Sequence, residues 1–220
     1  GNIGTTSVGL TLDLTALEYS GQGSVAHISG HTTTTAKVTI SDTGTGDMPL
    51  RIGGSNTITE LTMTDAKGTV QVDGSGGRTI TTVSLIGARR TAVLDLTHQA
   101  SSAISGTTAK VNGGVLKIDN NFTNVDVTGT PAIGTLDIYS GVAEWKTTGS
   151  TSTISALNVY SGLFEADQCT ATVSTISATQ LYETGTINEQ NGIEGIVWSG
   201  GITVNGGTLQ LDPGRLVTVS

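Results

Sequence analysis

The chain has 220 residues, 31 of them glycine and 3 proline, and only 13% are charged, for a formal net charge of −8. Sparse charge with 35% hydrophobic residues in a recurring pattern excludes a charged disordered chain. The acidic balance, with the pair Arg89-Arg90 as its densest basic spot, argues against nucleic acid, which needs a basic stripe to displace counterions.

Residues 1–35 are the least regular part. VGLTLDL (residues 8–14) alternates like a strand, and the rest reads as loops, so this segment is expected to be an irregular N-terminal arm or cap. A stack of strands needs such a cap, because a bare edge templates aggregation. GNIGTTSVGL shows neither the basic region nor the apolar stretch of a signal peptide. His27 and His31 stand four apart, a metal-sharing spacing on a helix. SVAHISGH is strand- and loop-like, so they read as solvated loop histidines, and no metal is assigned. His98 is read the same way.

From residue 36 to 220 one unit recurs. It appears in AKVTISDTG (36–44), in ITELTMTDAKGTVQVD (58–73) and in ITTVSLIGARRTAVLDL (80–96). It returns in VNGGVLKID (111–119), in I-x-x-L-x-I-Y-S-G from Ile133 and in I-x-x-L-x-V-Y-S-G from Ile154. Worn copies begin at Ile176 and Ile202, the last running into VNGGTLQLD (204–212). The step is 21 residues from Ile133 to Ile154 and 22 from Ile154 to Ile176; it stretches to 27 from Val111 to Ile138. The long step places an extra loop at 120–132, expected to project laterally.

Each unit is a short apolar alternation, a glycine corner, a second alternation and a polar turn. Period-two alternation means strands with one buried face, and fixed short periods mean stacked repeats. The unit is too short for a four-stranded propeller blade, at about 40 residues, and lacks helical periodicity. The expectation is therefore an all-β parallel β-helix, or β-solenoid, of about eight coils with a period of 21–23 residues. By analogy it is right-handed. No apolar run reaches the ~18 residues of a membrane span.

Stacking the repeats puts Tyr139, Tyr160 and Tyr182 in one column, and Glu144 over Glu165 one coil apart. The tyrosines are read first as a structural spine, then as a sugar-stacking column. Two carboxylates about 5 Å apart would suit a retaining glycosidase, whereas a solvated acidic face is the plainer reading. Arg89 and Arg90, with Asp95, form a lone charged patch for an ion pair or a contact. Thr-rich runs such as TTTT (32–35) do not recur as T-x-T in register, against an ice-binding face. The single cysteine, Cys169, excludes an intrachain disulfide or a cysteine metal cluster. No nucleophile elbow or phosphate loop is present. No catalytic, cofactor-binding or metal-binding residue is assigned, and the candidate contact residues are Tyr139, Tyr160, Tyr182, Glu144, Glu165, Arg89 and Arg90.

The I-x-x-L-x-V-Y-S-G unit and the V-N-G-G-x-L-x-L-D form resemble β-helical structural proteins of tailed bacteriophages, a group of capsid decoration (cement) proteins, fibres and spikes. The resemblance covers repeat grammar over about residues 38–219. It implies a non-enzymatic virion protein that docks on the capsid surface and stabilises the shell. The implied partners are the major capsid protein or other virion proteins, with assembly as a homotrimer, and neither nucleic acid nor membrane is expected. The alternative is a fibre or cell-surface adhesin module binding a host polysaccharide or receptor. A third reading is a glycan-cleaving spike using Glu144 and Glu165.

Overall fold

The computed structural model describes residues 10–13, 27–30, 35–41, 50–54, 58–64, 68–72, 80–96, 105–120, 132–146, 153–166, 175–189 and 197–211. Every regular element among them is a strand: β1 (Leu10–Asp13), β2 (His27–Gly30), β3 (Thr35–Ser41), β4 (Leu50–Gly54), β5 (Ile58–Thr64), β6 (Thr69–Val72), β7 (Ile80–Asp95), β8 (Ser105–Asn120), β9 (Ala132–Lys146), β10 (Thr153–Val159), β11 (Leu163–Glu165), β12 (Thr175–Leu181), β13 (Thr186–Glu189), β14 (Val197–Trp198), β15 (Ile202–Val204) and β16 (Thr208–Leu211).

All the pairings are parallel, and they follow one path, β1-β3-β5-β7-β8-β9-β10-β12-β14. A second row runs beside it through β2, β4, β6 and then the far halves of β7, β8 and β9, to β11, β13 and β16. The chain is a β-solenoid, each coil adding one rung to both rows. Among the described residues the first row has nine rungs, against the about eight coils expected from the sequence. The difference lies in the N-terminal segment: β1 pairs with β3 and β2 with β4, so parts of the expected arm are a rung. The alternation of VGLTLDL marks β1, whereas β2, the four residues HISG, is too short to stand out from the loops around it. His31, His98, Cys169 and the stretched loop at 121–131 lie outside the described residues.

The register repeats the repeat. Ile133, Ile154 and Ile176 pair in succession, as do Leu136 with Leu157, and Ile138 with Val159 and Leu181. These side chains are buried, and the same inward columns continue through Leu61, Val83, Met63 and Leu85. In the second row Leu94, Leu116, Ala143, Phe164 and Ile187 form the matching core column, with Trp145 tilted at 50° against Phe164, centroids 5.9 Å apart. Each such side chain, buried against its neighbours above and below, contributes about 1.5–3 kcal/mol relative to exposure.

The two rows meet at a glycine corner. Gly141 has φ 82°, and a Cβ there would sit 2.6 Å from the Gly114 carbonyl oxygen of the rung below. At Gly162 a Cβ would meet the Ile138 side chain and, at 2.8 Å, the Gly141 oxygen. Glycine is required because backbone rests directly on backbone.

Two threonines interrupt the apolar columns. Thr107 is fully buried and donates its hydroxyl to the Ile80 carbonyl. Thr179 occupies a Leu position between Leu157 and Ile202, and its Oγ1 has no hydrogen-bond partner. Two substitutions test this account by denaturant unfolding. Gly141→Ala is expected to cost more than about 2 kcal/mol, from the left-handed backbone plus the backbone clash. Thr179→Val is expected to stabilise by about 1 kcal/mol, because it removes an unsatisfied hydroxyl while keeping the shape.

Candidate functional site

Alternate residues of each strand point away from the core, so equivalent outward residues stack into columns one rung apart. Around the glycine corner three such columns gather the candidates. On the first row Tyr139, Tyr160 and Tyr182 stand directly above one another. Their order is set by Tyr160 N–H donating to the Ile138 carbonyl and Tyr182 N–H to the Val159 carbonyl. The ring centroids are 4.7 Å apart in both pairs, with interplanar angles of 3° and 9°. The rings lie face to face, so both faces of Tyr160 and the facing sides of Tyr139 and Tyr182 are covered by one another. A sugar stacks on a ring face; the middle ring, Tyr160, has none to offer. This geometry is that of a spine. Tyr139 is the most open of the three, at 42% exposure.

Two residues before each tyrosine runs a polar column, Lys110, Asp137, Asn158, Gln180 and Thr203. It satisfies itself from rung to rung: Asn158 Nδ2 donates to Asp137 Oδ1 at 2.8 Å. One column over, Asn205 Nδ2 donates to Gln180 Oε1 at 3.2 Å. Further down, the same outward position carries Thr39, Thr62 and Ser84. Thr62 and Ser84 are buried, so these hydroxyls do not form an open ice-like lattice.

On the second row Glu144 pairs in register with Glu165, as the repeat requires, and both are half-buried on one outward column. The rung below contributes Lys117 and the rung above Asn188. Lys117 Nζ lies 4.0 Å from Glu144 Oε2, and Asn188 Nδ2 donates to Glu165 Oε1 at 2.7 Å. The two carboxylates are therefore engaged on opposite sides, Glu144 downward and Glu165 upward. The next residue along, Glu189, turns the other way: it is fully buried and accepts a hydrogen bond from Trp198 Nε1 at 3.1 Å. Repeat spacing alone does not separate Asn188 from Glu189 here; the pleat makes one the outward amide and the other the inward acid.

Arg89 and Arg90 are in β7, where the register shifts between Ala88↔Gly113 and Val93↔Val115. Four residues of β7 there oppose one of β8, so the pair sits in an expanded corner, a β-bulge. Their side chains lie outside the described residues. Asp95 is buried and pairs in register with Lys117.

Sequence reading missed an outward apolar stripe, Val93, Val115, Val142 and Leu163, in successive rungs beside the corner. These residues are half-buried. Valine and leucine at alternate positions look like core from either face, so only register reveals them. Among the described residues no group of three His, Cys, Asp or Glu side chains is placed to hold a metal, and no helix is long and apolar enough to cross a membrane. No protein-family model, curated protein or solved structure matches the chain.

Partial burial within the stack, then the Asp137 carboxylate and the neighbouring phenols, raises the Tyr160 phenol above its ordinary value of 10.0. A raised acid holds its proton more tightly when folded. Its contribution to stability is therefore complete below about pH 10 and is lost as pH climbs through the raised value. Ultraviolet titration of the phenolates is expected to show one tyrosine ionising late, and Tyr160→Phe to remove that step. Urea unfolding should weaken above pH 10 more steeply in the wild type than in Tyr160→Phe. An unchanged titration in the variant would refute the assignment.

Proposed function

We propose that this chain is a non-enzymatic structural protein of a virion, a decoration protein that docks on the capsid surface and stabilises the shell. The observation that carries this reading is the self-sufficiency of the outward columns. Lys117 with Glu144, Asn188 with Glu165 and Asn158 with Asp137 are paired along the shaft axis. Groups that a catalyst would aim at one substrate atom here hold neighbouring rungs together. The function that follows is mechanical: a stiff rod with a repeating exterior, able to present the same contact in register to a repeating partner. Symmetric assembly on a lattice multiplies weak contacts through effective concentration. The repeat grammar shared with phage β-helical proteins supports the same conclusion.

The fibre reading asks for sugar stacking on the tyrosine column, and the face-to-face rings oppose it. The spike reading asks for a cooperating Glu144–Glu165 pair, and their opposed partners oppose that. The test joins two measurements. Light scattering of the purified chain at micromolar concentration is expected to give a trimer. Incubation with bacterial surface polysaccharides is expected to release no new reducing ends. Cleavage that disappears in both Glu144→Gln and Glu165→Gln would overturn the proposal in favour of the spike, and a monomer would overturn the trimer.

A further inference from the structure

The tyrosine column is a chemical arrangement as well as a mechanical one. Adjacent rings are nearly parallel and separated by 4.7 Å, close to the spacing of the rungs themselves. Each ring is thus one rung from the next with its face turned to its neighbour, and the Tyr160 phenol hydrogen-bonds that of Tyr139, so the hydroxyl ends of these two rings lie together. The carbons beside the hydroxyl are where a phenoxyl radical carries much of its spin. Two such carbons held opposite one another form a preassembled coupling pair, the situation in which a bimolecular step becomes an intramolecular one. The column is also reachable, because Tyr139 is 42% exposed.

We infer that Tyr139, Tyr160 and Tyr182 form an oxidative cross-linking site, at which a one-electron oxidant joins neighbouring coils through dityrosine. Each of two adjacent phenols loses one electron to the oxidant and its hydroxyl proton to solvent. The two phenoxyl radicals then form one carbon–carbon bond between their ortho positions. The hydrogen on each bonded carbon moves to the phenol oxygen, restoring both aromatic rings. The balance is two tyrosines giving one dityrosine, two protons and two electrons, which reduce two equivalents of oxidant. Peroxidases working with hydrogen peroxide are oxidants of this class. Because Tyr160 has a partner on each side and couples with only one, a single chain forms one staple in the column. It joins either Tyr139 to Tyr160 or Tyr160 to Tyr182. This inference stands on the stack alone and does not depend on where the protein assembles.

The full chain in dilute solution, treated with photo-oxidised tris(bipyridine)ruthenium and persulfate, tests it. Trypsin cuts after Lys117, Lys146 and Arg215, which puts Tyr139 in peptide 118–146 and both Tyr160 and Tyr182 in peptide 147–215. The wild type is expected to remain monomeric on a denaturing gel and gain dityrosine fluorescence. Part of it should yield the two peptides linked, lighter than their sum by two hydrogens. Tyr139→Phe should lose the linked pair but keep fluorescence through Tyr160 and Tyr182. Tyr160→Phe leaves the remaining phenols two rungs apart and should lose nearly all intrachain dityrosine, although the phenylalanine keeps the stack filled. The remaining tyrosine, Tyr19, serves as internal control. Fluorescence that survives in Tyr160→Phe, or wild-type cross-links that are solely between chains, would overturn the site.

Discussion

The structure depends on one constraint: each coil must lie in parallel register on the one below, at the distance set by backbone hydrogen bonds. Parallel pairing puts like over like. Ile138 meets Val159 and then Leu181, and Tyr139 meets Tyr160 and then Tyr182. A column is favourable only if its side chain tolerates its own kind at about 4.8 Å. Branched aliphatics do so inside, flat aromatics and hydrogen-bonding amides do so outside, and like charges do not. The glycine corner is what lets the constraint be met around a bend. At Gly141 and Gly162 the approach of successive backbones leaves no room for a Cβ.

This constraint explains why so much was legible in the sequence. Pairing rules that force like over like leave a copy of each coil one period along, so the Ile133–Ile154–Ile176 series and the tyrosine column could be read before any coordinates. What escaped reading follows from the same physics. In the first rung the alternation around β1 is legible, but β2, four residues long, is too short to stand out from loop. The apolar stripe Val93–Val115–Val142–Leu163 faces outward in a position where composition signals core. The expanded corner at Arg89 and Arg90 breaks the period locally, and a period-based reading can say only that something extra is there. At the candidate site, the positions of Tyr139, Tyr160, Tyr182, Glu144 and Glu165 were predictable. The direction in which each carboxylate leans was not, because it depends on Lys117 and Asn188 one rung away.

The acidic column shows how the register rule constrains function. Stacked carboxylates repel, and repeated sequence alone would build a ladder of them. Here the ladder is broken by chemistry at each flank: Lys117 under Glu144, Asn188 over Glu165. Exposed pairs of this kind contribute little to stability, about 0–1 kcal/mol each. Their larger effect is to remove a penalty that the fold would otherwise impose on itself. The arrangement fits rungs held in register.

Energy in a solenoid is a sum over neighbours, so defects act locally. The middle rungs, β8 to β11, hold the bulkiest core, Trp145 against Phe164, among fully buried aliphatics. The rungs of β12 and β13 replace aliphatic positions with Thr179, whose hydroxyl has no partner, and with Glu189, whose carboxylate reaches the Trp198 indole. An uncompensated hydroxyl costs about 1–3 kcal/mol, and a buried acid holds only while its partners hold. The shaft is therefore graded, firm where the tyrosine spine begins and weaker where it ends. Opening should start around β12 and β13, and the stack of Tyr160 on Tyr182 spans that boundary. This gives the aromatic column a mechanical reason to continue one rung beyond the bulkiest core: it ties the coil that carries Thr179 and Glu189 to the coil beneath it.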